Sequence, residues 1–178
     1  MPALDPAISW IVALGTSALF AAAALHKVRD WPRFTGALDD YRVLPSAIVP
    51  LAAPVVVVLE AAASALVAWP ASRVIGAGLA AALLAGYAGA IALNLHRGRT
   101  SIDCGCIGVS NRHRIGPAMV GRNIVLSGIV LLAAWPQAER SLAALDLLTI
   151  AGATLVSALL YLVLDTLASN VRAIRGAQ

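Results

Sequence analysis

The run VIGAGLAAALLAGYAGAIALNL, from Val74 to Leu95, contains no charged side chain. At 1.5 Å of rise per residue a helix of this length reaches about 33 Å, enough to cross a hydrocarbon core of roughly 30 Å. Uninterrupted apolar runs of about 18 residues or more read as membrane-spanning helices. The pattern recurs along the chain. Charged residues are also missing between Pro6 and His26, between Asn123 and Ala138, and between Leu147 and Leu164. Five spans are therefore expected: about Ile8 to Leu25, Ala47 to Trp69, Val74 to Leu95, Pro117 to Trp135, and Asp146 to Leu167.

Composition agrees. Of 178 residues, 60% are hydrophobic and 12% charged, against roughly 25% charged in an ordinary soluble domain. Mean hydropathy is +0.84. Too few polar side chains exist to cover a water-facing globule, which excludes a soluble enzyme, a secreted disulfide scaffold and a disordered tail. The expected fold is all-α, a polytopic bundle in contact with membrane lipid. The first span competes with a signal peptide, because Ala22-Ala23-Ala24 mimics a cleavage site. Its leading segment carries Asp5 and no Lys or Arg, whereas a signal peptide wants a positive start, so it reads as a retained helix.

A net charge of +4 does not point to nucleic acid, since no basic run with interleaved aromatics could track a phosphate backbone. The basic residues orient the protein instead. The first loop holds Lys27, Arg29, Arg33 and Arg42, the third holds Arg97, Arg99, Arg112, Arg114 and Arg122, and the tail holds Arg172 and Arg175. Only Arg73 and Arg140 lie on the other side. The positive-inside rule then predicts a multi-pass inner-membrane protein with its N-terminus outside and its C-terminus in the cytosol. Trp10, Trp69 and Trp135 fall near the expected outer ends, as an interfacial aromatic belt requires. Small residues at four-residue spacing (Ala82, Gly86 and Ala90 in the third span; Gly15, Ala18 and Ala22 in the first) argue for closely packed helices. An alanine-rich composition would produce the same stripe.

Chemistry concentrates between the third and fourth spans, where the chain's two cysteines lie in Ile102-Asp103-Cys104-Gly105-Cys106-Ile107-Gly108. Gly105 frees the backbone to bend, and a small-ring disulfide strained away from relaxed geometry is easier to reduce. Cationic neighbours favour the nucleophilic thiolate. A metal site is the competitor, with Cys104, Cys106, His113 and either Asp103 or His96 as ligands. One intervening residue is tight for paired zinc cysteines, which prefer two to four. Two inert thiols at a helix end are the third reading. Glu60, near the centre of the second span, is costly as an isolated charge and so marks a functional or structural clasp. Arg122, beside Asn123 at the start of the fourth span, is its expected cationic partner. His26 and Lys27, like Asn94 and His96, are expected at wetted inner helix ends. No cofactor is called by these motifs, and a quinone site is not legible in them.

These residues resemble a known family. Leu25-His26-Lys27-Val28-Arg29-Asp30, followed by Phe34, Tyr41, Leu44 and Pro45, is similar to the helix exit and first loop of the methylamine-utilisation protein MauE family. Glu60 after a proline-led apolar start, Asn94 to Gly98 leading into Cys104-Gly105-Cys106, and Arg122-Asn123 resemble its later segments. The resemblance covers roughly residues 8 to 136 and leaves out the fifth span. It implies a DoxX-like four-helix membrane core and an accessory role in maturing methylamine dehydrogenase, whose small subunit is disulfide-rich. A thioredoxin-like partner, MauD, is implied as well. By position, Cys104 and Cys106 would be the redox pair, with Glu60, Asp103, Arg122 and Asn123 as support. Two rules then pull apart: disulfides persist in the periplasm, while the charge count puts the Cys-Gly-Cys segment on the cytosolic side.

Overall fold

The computed structural model describes residues 3–99 and 115–175. Within them the chain forms α1 (Pro6–Arg29), α2 (Trp31–Asp40), α3 (Val49–Ala68), α4 (Arg73–His96), α5 (Pro117–Leu131) and α6 (Ala144–Arg175), with single 3-10 turns at Ser46–Ile48, Pro70–Ser72 and Leu132–Ala134. The all-α polytopic expectation holds. Among the described residues, five segments are long and apolar enough to cross a membrane: Pro6–Arg29, Ser46–Ala68, Pro70–His96, Pro117–Ala134 and Ala144–Leu164.

Helix starts follow local chemistry. Asp5 caps α1, its Oδ1 accepting from the Ala7 amide at 2.8 Å, and Pro6 enters the first turn, where its missing N–H costs nothing. Pro117 opens α5 in the same way after an extended Gly116. The span-based reading treats residues 31–40 as loop. They form α2, because Phe34, Ala37 and Tyr41 recur at helical spacing and bury one face. At ten residues α2 is too short to register as a span.

α1, α3, α4 and α5 share one core of mostly small residues, including Ala13, Phe20, Ala63, Val67, Ala77, Ala80, Leu84 and Val130. The closest approach is between α3 and α4 at Gly76, where a Cβ would fall within the radii of the Val67 nitrogen and the Leu66 carbonyl carbon. Hydroxyls bind the helices across their interfaces. Ser64 Oγ donates to the Ser17 carbonyl at 2.9 Å, and Ser127 Oγ to the Ala81 carbonyl at 3.0 Å. Bonds of this kind help hold helices together where surrounding lipid supplies no hydrophobic drive. α6 packs on α1 and leaves most of its leucines exposed; in a bilayer that surface faces lipid.

Contacts gather the loops at two ends. At one, Leu4 N donates to Pro136 O at 2.8 Å, Gln137 Nε2 to Ser9 Oγ at 2.9 Å, and Arg73 Nη1 to Ser9 Oγ at 3.3 Å. Arg73 also stacks on Trp10, 4.1 Å from the ring centroid. Arg140 bridges Asp5 and Asp146, each at 2.8 Å. Its guanidinium, aided by the Ala7 amide, holds the Asp5 carboxyl below its ordinary 3.8. At the other end Arg97 Nη1 donates to Arg42 O at 3.2 Å, which joins two of the basic loops.

Candidate functional site

α1 continues as helix through Arg29, four residues past the expected exit of the first span. This extension moves Lys27 from a wetted end into the bundle. Ala13, Thr16, Phe20, Ala24 and Lys27 form one buried stripe at three- and four-residue intervals. Lys27 is 4% exposed and Glu60 fully buried. The Lys27 Nζ donates to Glu60 Oε1 at 2.7 Å and to Oε2 at 2.9 Å. From α4, Tyr87 Oη donates to Glu60 Oε1 at 2.6 Å. Lys27 also lies over the Phe34 and Tyr87 rings, 5.5 and 5.6 Å from their centroids. One carboxylate thus accepts three charge-assisted bonds, and the ammonium gains two aromatic faces.

The cationic partner expected for Glu60 was Arg122; the structure pairs it with Lys27 instead. The reason is reach and register: Lys27 sits on the α1 stripe that packs against α3, whereas Arg122 turns toward α6. The Arg122 guanidinium lies 5.5 Å from the Tyr161 ring centroid. Glu60, Arg122 and Asn123 still converge, because all three line one small cavity of about 40 Å³ with Lys27, Tyr87 and Tyr161. That volume is room for a water or two. Asn123 is buried, and its Nδ2 finds no partner among the described residues.

A second cavity, of about 410 Å³, opens between α2, α3 and α4. Its walls include Phe34, Leu38, Tyr41, Leu59, Leu83 and Ile91, and Lys27 is its charged group. Ala82, Gly86 and Ala90, the stripe expected to bring helices close, line this cavity. In that stripe small size makes space rather than contact.

Cys104, Cys106 and Asp103 lie outside the described residues, as does His113; their two flanks do not. On one side Asn94 is fully buried, donating from Nδ2 to Tyr41 O at 2.9 Å and accepting at Oδ1 from Arg99 Nη1 at 3.0 Å. Gly98 takes φ +70°, a left-handed turn that glycine adopts without strain, as α4 ends. On the other side Ile115 and Met119 pack against Tyr41 and Ile91. Both flanks therefore rest on walls of the larger cavity. Lys27 and Tyr87 were not singled out from the sequence as partners of Glu60. The signal for Lys27 was its register with Phe20 and Ala24; for Tyr87 it was a lone hydroxyl inside an apolar span.

Comparison with known proteins adds a family. The sequence model described as methylamine utilisation protein MauE matches residues 5–136. The methylamine utilization protein MauE of Paracoccus denitrificans is 40% identical over 129 residues, 72% of this chain and 69% of that protein. Its counterpart in Methylophilus methylotrophus is 34% identical over 163 residues, 90% of this chain and 86% of that protein. That of Paracoccus versutus is 41% identical over 130 residues, covering 73% and 70%. No solved structure matches the chain.

Proposed function

The chain belongs to the methylamine utilisation protein MauE family, and from that membership we propose that it is a membrane accessory protein supporting maturation of methylamine dehydrogenase. In this reading Cys104 and Cys106 form a thiol–disulfide pair that works with a thioredoxin-like partner. The observation that carries it is the Cys-Gly-Cys spacing within a segment tied down at both flanks, by Asn94 with Arg99 and by Ile115 with Met119. Exchange begins when a thiolate attacks one sulfur of a disulfide and expels the other as a thiolate. The second thiol of the attacking pair then resolves the mixed disulfide. One dithiol becomes a disulfide, one disulfide becomes a dithiol, and two electrons and two protons change hands. Basic Arg97, Arg99, Arg112 and Arg114 favour the thiolate form.

Glu60, Asp103, Arg122 and Asn123 support the pair in this proposal, with Lys27 and Tyr87 joining them through Glu60. The inner membrane is the expected site, with the N-terminus outside and the C-terminus in the cytosol. On that orientation the cysteine pair lies on the cytosolic side and exchanges with its partner by direct attack of sulfur on sulfur. Thiol trapping with a mass tag, in membranes held at defined redox potentials, tests the reading. Both thiols should titrate together as a two-electron couple. Cys104→Ser and Cys106→Ser should each abolish maturation of the dehydrogenase, and one of them should trap a mixed disulfide with the partner. Thiols reduced at every potential, with maturation unaffected by either change, would falsify the redox role. Protection that a chelator removes from both thiols at once would assign them to a metal instead.

A further inference from the structure

The geometry points to a binding site for a neutral, lipid-soluble molecule in the cavity between α2, α3 and α4, with a carbonyl oxygen of the ligand accepting a hydrogen bond from Lys27 Nζ. This inference stands on the cavity alone and goes beyond the redox reading of the cysteines. The space of about 410 Å³ falls within the range of small-molecule sites, which pair apolar walls with a few placed polar groups. Here the walls are apolar and the placed group is Lys27, itself 4% exposed. An ammonium has three N–H donors. Two are directed at Glu60, at 2.7 and 2.9 Å, which leaves one for an acceptor in the cavity.

Charge selects the class of ligand. Glu60, outside this cavity, already neutralises Lys27, so an anionic head would leave the site with an uncompensated negative charge, and a cationic one would face the ammonium directly. Either would also have to shed its hydration within the span. A neutral carbonyl meets the remaining donor without adding charge. The route is lateral, since Leu59, Leu83, Gly86 and Ala90 belong to membrane-spanning segments. Gly86 keeps the wall open, and a Cβ there would meet nothing within 4 Å.

The probe is decylubiquinone, a neutral ring dicarbonyl with a ten-carbon tail, used with a photoreactive analogue on the full chain in detergent. Labelling should saturate and map to residues 31–44 or 79–91, and decylubiquinone should compete for it. Decanoate and dodecane should compete at least tenfold less well, the first for its charge and the second for its missing acceptor. Lys27→Met should lower labelling at least tenfold. Gly86→Phe fills the space without touching the ion pair, so it should do the same with normal folding; it decides the matter if Lys27→Met fails to fold. Equal competition by decanoate or dodecane, unsaturable labelling, or wild-type labelling of a folded variant overturns the site.

Discussion

Glu60 is the costliest residue in the sequence to place, and its surroundings show how the cost is met. An isolated carboxylate near the centre of a span is unfavourable by roughly 2.5–3.5 kcal/mol on insertion scales. Lys27 and Tyr87 answer it with three hydrogen bonds. Breaking one side of a buried pair strands a charge, so Lys27→Met and Glu60→Gln should each lower stability by about 3–5 kcal/mol. The double change should cost less than the sum, by about 0.5–3 kcal/mol. Tyr87→Phe should lose about 1.5–3 kcal/mol, as expected of a hydrogen bond to a charged group. Denaturant unfolding in detergent measures all four. Coupling of Glu60 should be larger to Lys27 than to Arg122; the opposite order would return Glu60 to its sequence-based partner. The presence of a clasp was legible from a lone acidic residue in an apolar span. Its partner was not, because Lys27 read as part of a wetted helix end, and Arg122 as the cation, until the length and rotation of α1 were known.

At the scale of elements, glycine has opposite uses within one helix. Gly76 touches the α3 backbone, while Gly78, two residues on and so on the opposite side of the helix, meets nothing within 4 Å. Gly76→Ala should therefore destabilise by about 1–3 kcal/mol through overpacking of helices that have no room to part. Gly78→Ala should be neutral or gain up to about 1 kcal/mol from helix propensity. Unfolding midpoints of the two variants separate the cases, and equal effects would show that the α3–α4 approach is looser than described. Composition marks both glycines as small and says nothing of which one faces a neighbour. The same limit governs Ala82, Gly86 and Ala90, whose spacing was legible but whose service as cavity wall depends on where α2 lies.

For the whole molecule, the two ends differ in charge and in how they are tied. One end joins the N-terminus to the connection before α6 through Leu4, Ser9, Gln137 and Arg140. The other joins basic loops through Arg42 and Arg97. With Lys27 and Arg122 set aside as lying inside the bundle, nine of the thirteen basic residues fall in the first-loop region, the third-loop region and the tail, so a reporter fused after Gln178 should be active only in its cytosolic form. Activity of a periplasm-dependent reporter at that position would invert the bundle and carry the cysteine segment outside.

The sequence by itself determined the all-α class and placed five long apolar helices among the described residues to within about four residues, because hydrocarbon thickness sets a length for every segment able to cross it. It also marked Glu60 and the Cys-Gly-Cys segment, since charge in lipid and paired thiols are rare enough to stand out locally. Only the tertiary structure decided that Lys27 is the cation of Glu60, that Tyr87 completes the clasp, and that α2 roofs a cavity beside them. Those outcomes depend on the rotation and crossing of helices far apart in the chain, and in a uniformly apolar sequence no local pattern records which face of each helix will meet which neighbour.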